Sequence, residues 1–430
     1  MENMNSTPLA SRFTVGIFGR RNAGKSSLIN AVTGQDIAVT SDVPGTTTDP
    51  VYKAMELLPL GPIVLIDTGG LDDEGELGAL RVEKTYEVLR KCNLALIVAD
   101  ARQGLSEFET EFIDQLKGRK IPAVLVLNKC DQCEGAAPGP EELKRIRELV
   151  RIPVVLASAA TGTGIDEIKK EIVLNSGLEE AEPALVGDLI RPGDIAVLVT
   201  PIDKGAPKGR LILPQQQTIR EIIERDATAV ITKENGLGLT LQGLKSPPAI
   251  VITDSQAFRQ VSEATPAGIP MTSFSILFAR QKADLTEMVR GVKRMETLAS
   301  GDRVLIVEGC THHRQSDDIG KVKIPRWIRQ ISGADIRFEW ASGACYPKDI
   351  SGYDLIIHCG GCMLNRREMQ YRTEKAREQG VAITNYGVLI AYVMGILPRA
   401  LAPFPAASLV LAGGSSPSGE AALSTDFSRH

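Results

Sequence analysis

At 430 residues the chain holds roughly two to four domains of about 100–200 residues each. Its 43% hydrophobic and 24% charged residues exclude disordered, collagen-like and disulfide-scaffold classes. Forty-nine Lys and Arg against 53 Asp and Glu leave a net charge of −4, so no global basic field draws in nucleic acid or an anionic membrane. Aromatic residues, at 4%, are too few for the stacking platforms that bind single-stranded nucleic acid. Seven cysteines are sparse and odd in number, and the start MENMNSTPLASRF lacks the charged-then-apolar pattern of a secretory signal. Reduced thiols in a cytoplasm are therefore expected.

From Phe13 to about Asn175, short apolar runs alternate with longer polar-periodic stretches, which predicts parallel strands joined by helices. The strand candidates are Val15–Phe18, Ile63–Asp67, Leu94–Asp100, Ala123–Asn128 and Val154–Ala157. The acidic stretch Ser176–Pro183, with its Gly and Pro, reads as a linker. Beyond it, Ile195–Thr200, the helical Gln215–Asp226 and Pro247–Ser255 make a small α/β module that ends near Thr265 and holds nothing catalytic. From Ile269 the rhythm resumes, with strands at Val304–Val307, Ile336–Trp340, Leu355–His358 and Val381–Thr384 and a helix at Arg366–Gln379. The apolar run Tyr386–Leu397 is twelve residues long with two glycines, against about 20 for a membrane-spanning helix, and reads as a buried helix. The Pro-, Ala-, Gly- and Ser-rich tail from Ala402 lacks periodicity and is expected to be mobile. The fold class is α/β, divided as 11–175, 184–265, 269–402 and a tail at 403–430.

Gly19-Arg-Arg-Asn-Ala-Gly-Lys-Ser26 fits G-x-x-x-x-G-K-[ST] in full, between the strand TVGIF and the helix-like SLINAVTG. Gly19 and Gly24 let backbone N–H groups wrap the phosphates. Lys25 places a cation at the β/γ oxygens, and Ser26 offers a hydroxyl to Mg²⁺, with Ser27 beside it in the contact set. Asp67-Thr-Gly-Gly70 ends a strand, which puts a Mg²⁺-organising carboxylate at the carboxyl edge and lets Gly70 approach the γ-phosphate. Asn128-Lys129-Cys130-Asp131 ends another; the Asp131 carboxylate can accept from both N1–H and the N2 amine of guanine, a donor pair that adenine lacks. Ser158 and Ala159 close the next strand, and Pro44-Gly-Thr-Thr-Thr-Asp49 supplies hydroxyls between the phosphate loop and Asp67.

These five elements, in this order, resemble the Era/TrmE-like translation-factor GTPases over residues 13–175. The resemblance implies that Thr47, ahead of Thr46, is the switch hydroxyl that reaches Mg²⁺, so that Lys25, Asp67 and Thr47 serve catalysis. It also implies that Asn22 helps hold a K⁺ ion beside the phosphates. Leu71 stands where Ras-like enzymes carry a water-orienting glutamine, so slow intrinsic hydrolysis is expected. The acids Asp72, Asp73, Glu74 and Glu76 read as a solvated switch segment. Cys130-x-x-Cys133 reads as structural, since no second cysteine pair lies near it in sequence.

Three of the four histidines fall in two short motifs, Cys310-Thr-His312-His313 and His358-Cys359-Gly-Gly-Cys362. Each begins where a predicted strand ends, so a parallel sheet would bring both out on one edge, and the 48 residues between Cys310 and Cys359 suffice for a crossover. The glycines allow a tight loop with inward N–H groups, as sulfur-ligated clusters require. Three thiolates and a histidine suit tetrahedral Zn²⁺ as well as a cubane with three cysteine-held irons.

A P-loop GTPase followed by a small α/β module and a C-x-H…H-C-x-x-C domain resembles the maturation GTPases of FeFe-hydrogenases, the HydF family, to about residue 400. The resemblance implies that Cys310, Cys359 and Cys362 ligate a 4Fe–4S cluster whose fourth iron takes an exchangeable ligand. His312 and His358 are the leading candidates for fourth ligand or orienting partner, with His313, Glu308 and Cys345 behind them; Asp317 and Asp318 lie close by. It implies a dimerisation role for 184–265, a homodimer, and a cytoplasmic GTPase carrier. This carrier passes a di-iron subcluster precursor to apo-hydrogenase and works with the radical-enzyme maturases of the same pathway, without nucleic acid or membrane. The alternative is a TrmE- or Era-like GTPase acting on RNA or ribosomes with a structural zinc site, a reading weakened by the charge balance.

Overall fold

A computed structural model describes residues 12–34, 51–68, 76–133, 138–177, 183–201, 211–309, 318–343 and 346–413, with the backbone alone for 76–83. The expectations for Thr46, Thr47, Gly70, Leu71, Asp72, Asp73, Glu74, Cys310, His312, His313, Asp317 and Cys345, and for the side chain of Glu76, lie outside the described residues. The chain divides into two compact units, 1–181 and 182–430, and the division falls inside the acidic Ser176–Pro183 stretch.

In the first unit, β1 (Phe13–Phe18), β2 (Val51–Leu57), β3 (Gly61–Asp67), β4 (Leu94–Asp100), β5 (Ala123–Asn128) and β6 (Val154–Leu156) form one sheet in the order β2-β3-β1-β4-β5-β6. All neighbours are parallel except β2 and β3. β4 and β5 are buried along their whole length, and each such Val, Leu or Ile contributes about 1.5–3 kcal/mol. β2 was not foreseen, because VYKAMEL is an antiparallel edge strand whose residues, apart from Leu57, stay exposed or half-buried. β1 has β3 on one side and β4 on the other, so the strand order reverses at β1. In an open parallel sheet, the crevice beyond the carboxyl end of such a strand is where ligands bind.

The second unit carries two parallel sheets. β7 (Ile195–Val199), β8 (Thr228–Thr232), β9 (Ile250–Thr253) and β10 (Met271–Ser273) run in the order β10-β9-β7-β8. β11 (Arg303–Glu308), β12 (Arg337–Ser342), β13 (Leu355–His358) and β14 (Ala382–Asn385) run in the order β12-β11-β13-β14. One apolar core, from Leu185 to Val410, serves both sheets. The first of them reaches past Thr265, because the three-residue β10 and the helix Phe274–Lys282 pack onto it. The Tyr386–Val393 helix is buried as its composition requires, and no helix among the described residues is long and apolar enough to cross a membrane. The tail differs from its expectation at its start. Pro405–Leu411 is a helix, because Phe404, Ala407 and Val410, spaced by three, all reach the core.

Candidate functional site

The phosphate loop leaves β1 at the reversal point and enters the helix Lys25–Thr33. Gly24 sits at φ 90°, and a Cβ there would lie 2.3 Å from Asn128 Nδ2, so both conformation and space demand glycine. Asn22 takes a left-handed conformation at φ 62°, which asparagine tolerates better than most residues. The Lys25 ammonium donates to the carbonyls of Gly19 (3.0 Å) and Arg20 (2.9 Å), bridging the loop it serves. Ser26 Oγ donates to Asp67 Oδ2 at 2.6 Å. Asp67 Oδ1 is buried with no hydrogen-bond partner. Burial holds this carboxyl above its ordinary range, against the opposing pull of Ser26, Lys25 and Lys53. An orphaned carboxylate oxygen beside a serine hydroxyl fits a Mg²⁺ ion reached directly by Ser26 and organised by Asp67.

The guanine side is built from β5 and the loop after β6. Asn128 is buried; its Nδ2 donates to Ala23 O at 3.0 Å and its Oδ1 accepts from Ala159 N–H at 3.1 Å, tying the phosphate loop to the Ser158–Ala159 loop. Ser158 is fully buried, and its hydroxyl accepts from Thr161 N–H at 3.2 Å. Lys129 donates to Asn22 O and pairs with Asp100 at 3.0 Å. Asp131 lies exposed in the single turn Cys130–Gln132, where a base can reach its carboxylate.

In the second unit β11 lies between β12 and β13, so that sheet also reverses order, at β11. The register Val307↔His358 brings the two strand ends together, and Cys359 N–H donates to Val307 O at 2.8 Å. Cys359 Sγ accepts from Gly309 N–H at 3.0 Å and from Gly361 N–H at 3.4 Å. Burial pushes this thiol up while the two N–H groups favour the thiolate. Gly361, at φ 62°, has Met369 Sδ only 2.9 Å from where a Cβ would lie. A sulfur cradled by two amides at the switch point fits a thiolate-held metal or cluster. Among the described residues no group of three or more His, Cys, Asp or Glu could hold a metal ion; Cys310 lies outside them.

His358 is fully buried. Its Nδ1 faces the Cys359 carbonyl at 2.8 Å and its Nε2 faces Arg372 Nη1 at 2.8 Å. Since a carbonyl only accepts and a guanidinium only donates, the ring is neutral with its proton on Nδ1. Burial and the Arg372 charge push its pKa down to about 3. Arg372 is itself held by Glu368 at 2.8 Å and by Gly343 O at 3.2 Å, with its guanidinium 4.8 Å from the centre of the Tyr346 ring.

Comparison with known families decides the identity. The Hydrogen maturase F dimerization domain matches residues 185–283 and the Hydrogen maturase F tetramerization domain residues 286–403, together half of the chain. A 50S ribosome-binding GTPase model matches residues 14–129. The chain belongs to the HydF family of hydrogenase-maturation GTPases. The tetramerization match covers most of the segment expected to bind a cluster, so the family assigns self-association to both sheets of the second unit. Among curated relatives, GTPase Der of Persephonella marina is 35% identical over 170 residues, 37% of this chain and 37% of that one. GTPase Era of Geobacter metallireducens is 38% identical over 170 residues, 38% of this chain and 55% of that one. The tRNA modification GTPase MnmE of Heliobacterium modesticaldum is 37% identical over 158 residues, 36% of this chain and 32% of that one. The chain thus spans about a third to a half of the length of these relatives.

Sequence reasoning missed several residues of this HydF chain. Asp100 ends β4 in register with Asn128 and, nearly buried, pairs with Arg102 at 2.6 Å as well as with Lys129. The Arg102 bonds hold its carboxyl well below the usual range. The signal was present, because one carboxylate closes the otherwise apolar strand LALIVAD. Glu109, fully buried, holds Arg20 of the phosphate loop at 2.7 Å. Arg372 had no such signal, since it is one of many charged residues on a polar helix.

Proposed function

We propose that this protein binds and hydrolyses GTP and holds a 4Fe–4S cluster through Cys310, Cys359 and Cys362. It is a cytoplasmic carrier that delivers a hydrogenase di-iron subcluster precursor to the apo-enzyme alongside the radical-enzyme maturases. The observation behind the cluster is the Cys359 sulfur, which accepts two backbone N–H bonds at the reversal point of its sheet in a chain that belongs to the HydF family. A bound cluster would supply one iron with a replaceable ligand, where a second metal fragment can attach. Residues 11–175 serve as the GTPase domain, the first sheet of the second unit, matched over 185–283, as the dimerisation module, and the second sheet, matched over 286–403, as the cluster domain. Both ring nitrogens of His358 are engaged, which favours an orienting role for it and leaves His312 as the leading candidate for the fourth iron, with His313, Glu308 and Cys345 behind it. Glu308 ends β11 and its charge acts on the Cys359 thiol. Iron and sulfide analysis with a visible spectrum on anaerobically purified protein tests the reading; colourless protein with stoichiometric zinc would overturn it.

In the GTPase domain, Ser26, Asp67 and Thr47 would hold Mg²⁺ while Lys25 neutralises the phosphates. Asp131 recognises guanine, so D131N turns one accepting oxygen into a donor that faces another donor. At about 1.5–3 kcal/mol for a hydrogen bond to a charged group, GTP affinity falls roughly tenfold to hundredfold, and the xanthine nucleotide gains on it. Competition binding with the two nucleotides measures this, and unchanged discrimination would remove Asp131 from the role.

Hydrolysis is slow and rises when K⁺ replaces Na⁺. Leu71 cannot orient water, and a cation held by Asn22 would act where other GTPases use an arginine finger, itself worth about 10³–10⁵ in kcat. Equal rates in the two salts at matched ionic strength would count against the K⁺ site.

A further inference from the structure

The helix Phe274–Lys282 packs in the part of the chain matched by the dimerization domain, and the side chain of its last residue bonds residues of the next part. Lys282 is buried, 6% exposed, with its ammonium 4.9 Å from the centre of the Phe278 ring. Its Nζ donates to Gly361 O at 3.2 Å, Cys362 O at 3.2 Å and Leu364 O at 2.7 Å. All three carbonyls belong to the turn that contains Cys362, in the part matched by the tetramerization domain. A single buried cation thus straps the C-x-x-C turn to a helix of the neighbouring module.

We infer that Lys282 is a positioning residue for the cysteine turn, and that its charge acts on whatever anionic group the thiolates hold; this second part rests on the cluster reading above. Two consequences follow from the geometry. First, the strap fixes the carbonyls of residues 361, 362 and 364. This sets the turn in which Gly361 N–H points at Cys359 Sγ and which fixes the Cys362 backbone. Second, a positive charge buried beneath the turn stabilises added negative charge there, since low-dielectric surroundings strengthen the interaction. A cluster held by the turn would become easier to reduce.

The test uses the full chain with K282M and K282R. In the metal-free protein, alkylation of Cys359 and Cys362 by iodoacetamide, followed by mass spectrometry, reads the turn directly. Loss of a charged donor worth about 1.5–3 kcal/mol should speed it at least about tenfold in K282M, whereas K282R, which keeps a cationic donor, stays near wild type. The thermal transition and far-ultraviolet circular dichroism of the full chain serve as the folding control, because Lys282 lies in the second unit, whose fold GTP hydrolysis does not report. In protein reconstituted with iron and sulfide, K282M should titrate at a more negative potential and lose iron to a chelator faster, and K282R should restore the potential. If K282M fails to fold, K282Q keeps the volume and one donor, with about threefold faster alkylation expected. Alkylation at the wild-type rate in both uncharged variants would overturn the strap. A strap shown by alkylation with an unchanged potential would overturn the electrostatic part. Wild-type protein that takes up no cluster would refute the proposed function instead, and the alkylation rates would still decide the strap.

Discussion

Replacing Cys359 by alanine should strip most of the iron from anaerobically reconstituted protein while leaving GTP hydrolysis in place. The proposed cubane, anchored by three thiolates, would keep two when one is removed, and Cys359 is the position whose sulfur has two amide donors beside it. Cys359 Sγ receives N–H bonds from Gly309 and Gly361, so alanine also leaves two amides without their acceptor, at about 1–3 kcal/mol each where water cannot enter. C359S separates these effects: its hydroxyl can still accept the amides, which restores the turn, but it is a poor iron ligand, so iron stays low while thermal stability recovers. Cys310 and Cys362 variants should lose iron as fully. Replacement of His358 should be milder for iron, giving cluster retention with an altered paramagnetic signal. The cost there is in packing, because Arg372, 1% exposed, loses the acceptor of one of its bonds. Iron loss in the His358 variant equal to that in the cysteine variants would make the histidine a full ligand. A cysteine variant with a complete cluster would break the triad and bring Cys345 forward.

The parts legible from the sequence were those whose chemistry is contiguous. Leu94–Asp100, Ala123–Asn128 and Leu355–His358 were read with their structural limits, because buried parallel strands are continuous apolar runs ended by functional residues. The same reasoning put the two cysteine motifs on one sheet edge, and the register of β11 with β13 follows that pattern. What stayed hidden depends on distant pairing. Val51–Leu57 and Thr228–Thr232 are edge strands in which few or no residues are fully buried, so no apolar run announces them. A core shared by two sheets leaves no break near Thr265. Lys282 and Arg372 are ordinary helix cations until folding brings Gly361 and His358 to them, 79 and 14 residues away.

Lys25→Ala should abolish tight GTP binding and measurable hydrolysis while iron content stays at the wild-type level. The ammonium is nearly buried and bonds the Gly19 and Arg20 carbonyls, which places its charge inside the loop of backbone that wraps the phosphates. With nucleotide present, that charge meets the β/γ oxygens. At about 1.5–3 kcal/mol for each charge-assisted bond, losing two of them weakens GTP by roughly a hundredfold or more. Part of the loss comes from the loop itself, whose carbonyls lose their donor, and the melting temperature of nucleotide-free K25A measures that share. Iron is spared because the cysteines stand in the other compact unit, whose two sheets share a core separate from that of the GTPase sheet, and phosphate neutralisation has no part in holding thiolates. Calorimetric GTP titration and iron analysis on the same preparation decide the matter. A K25A protein that loses cluster together with nucleotide would mean that the two chemistries are not independent, and a K25A protein that still binds GTP tightly would remove the phosphate loop from its role.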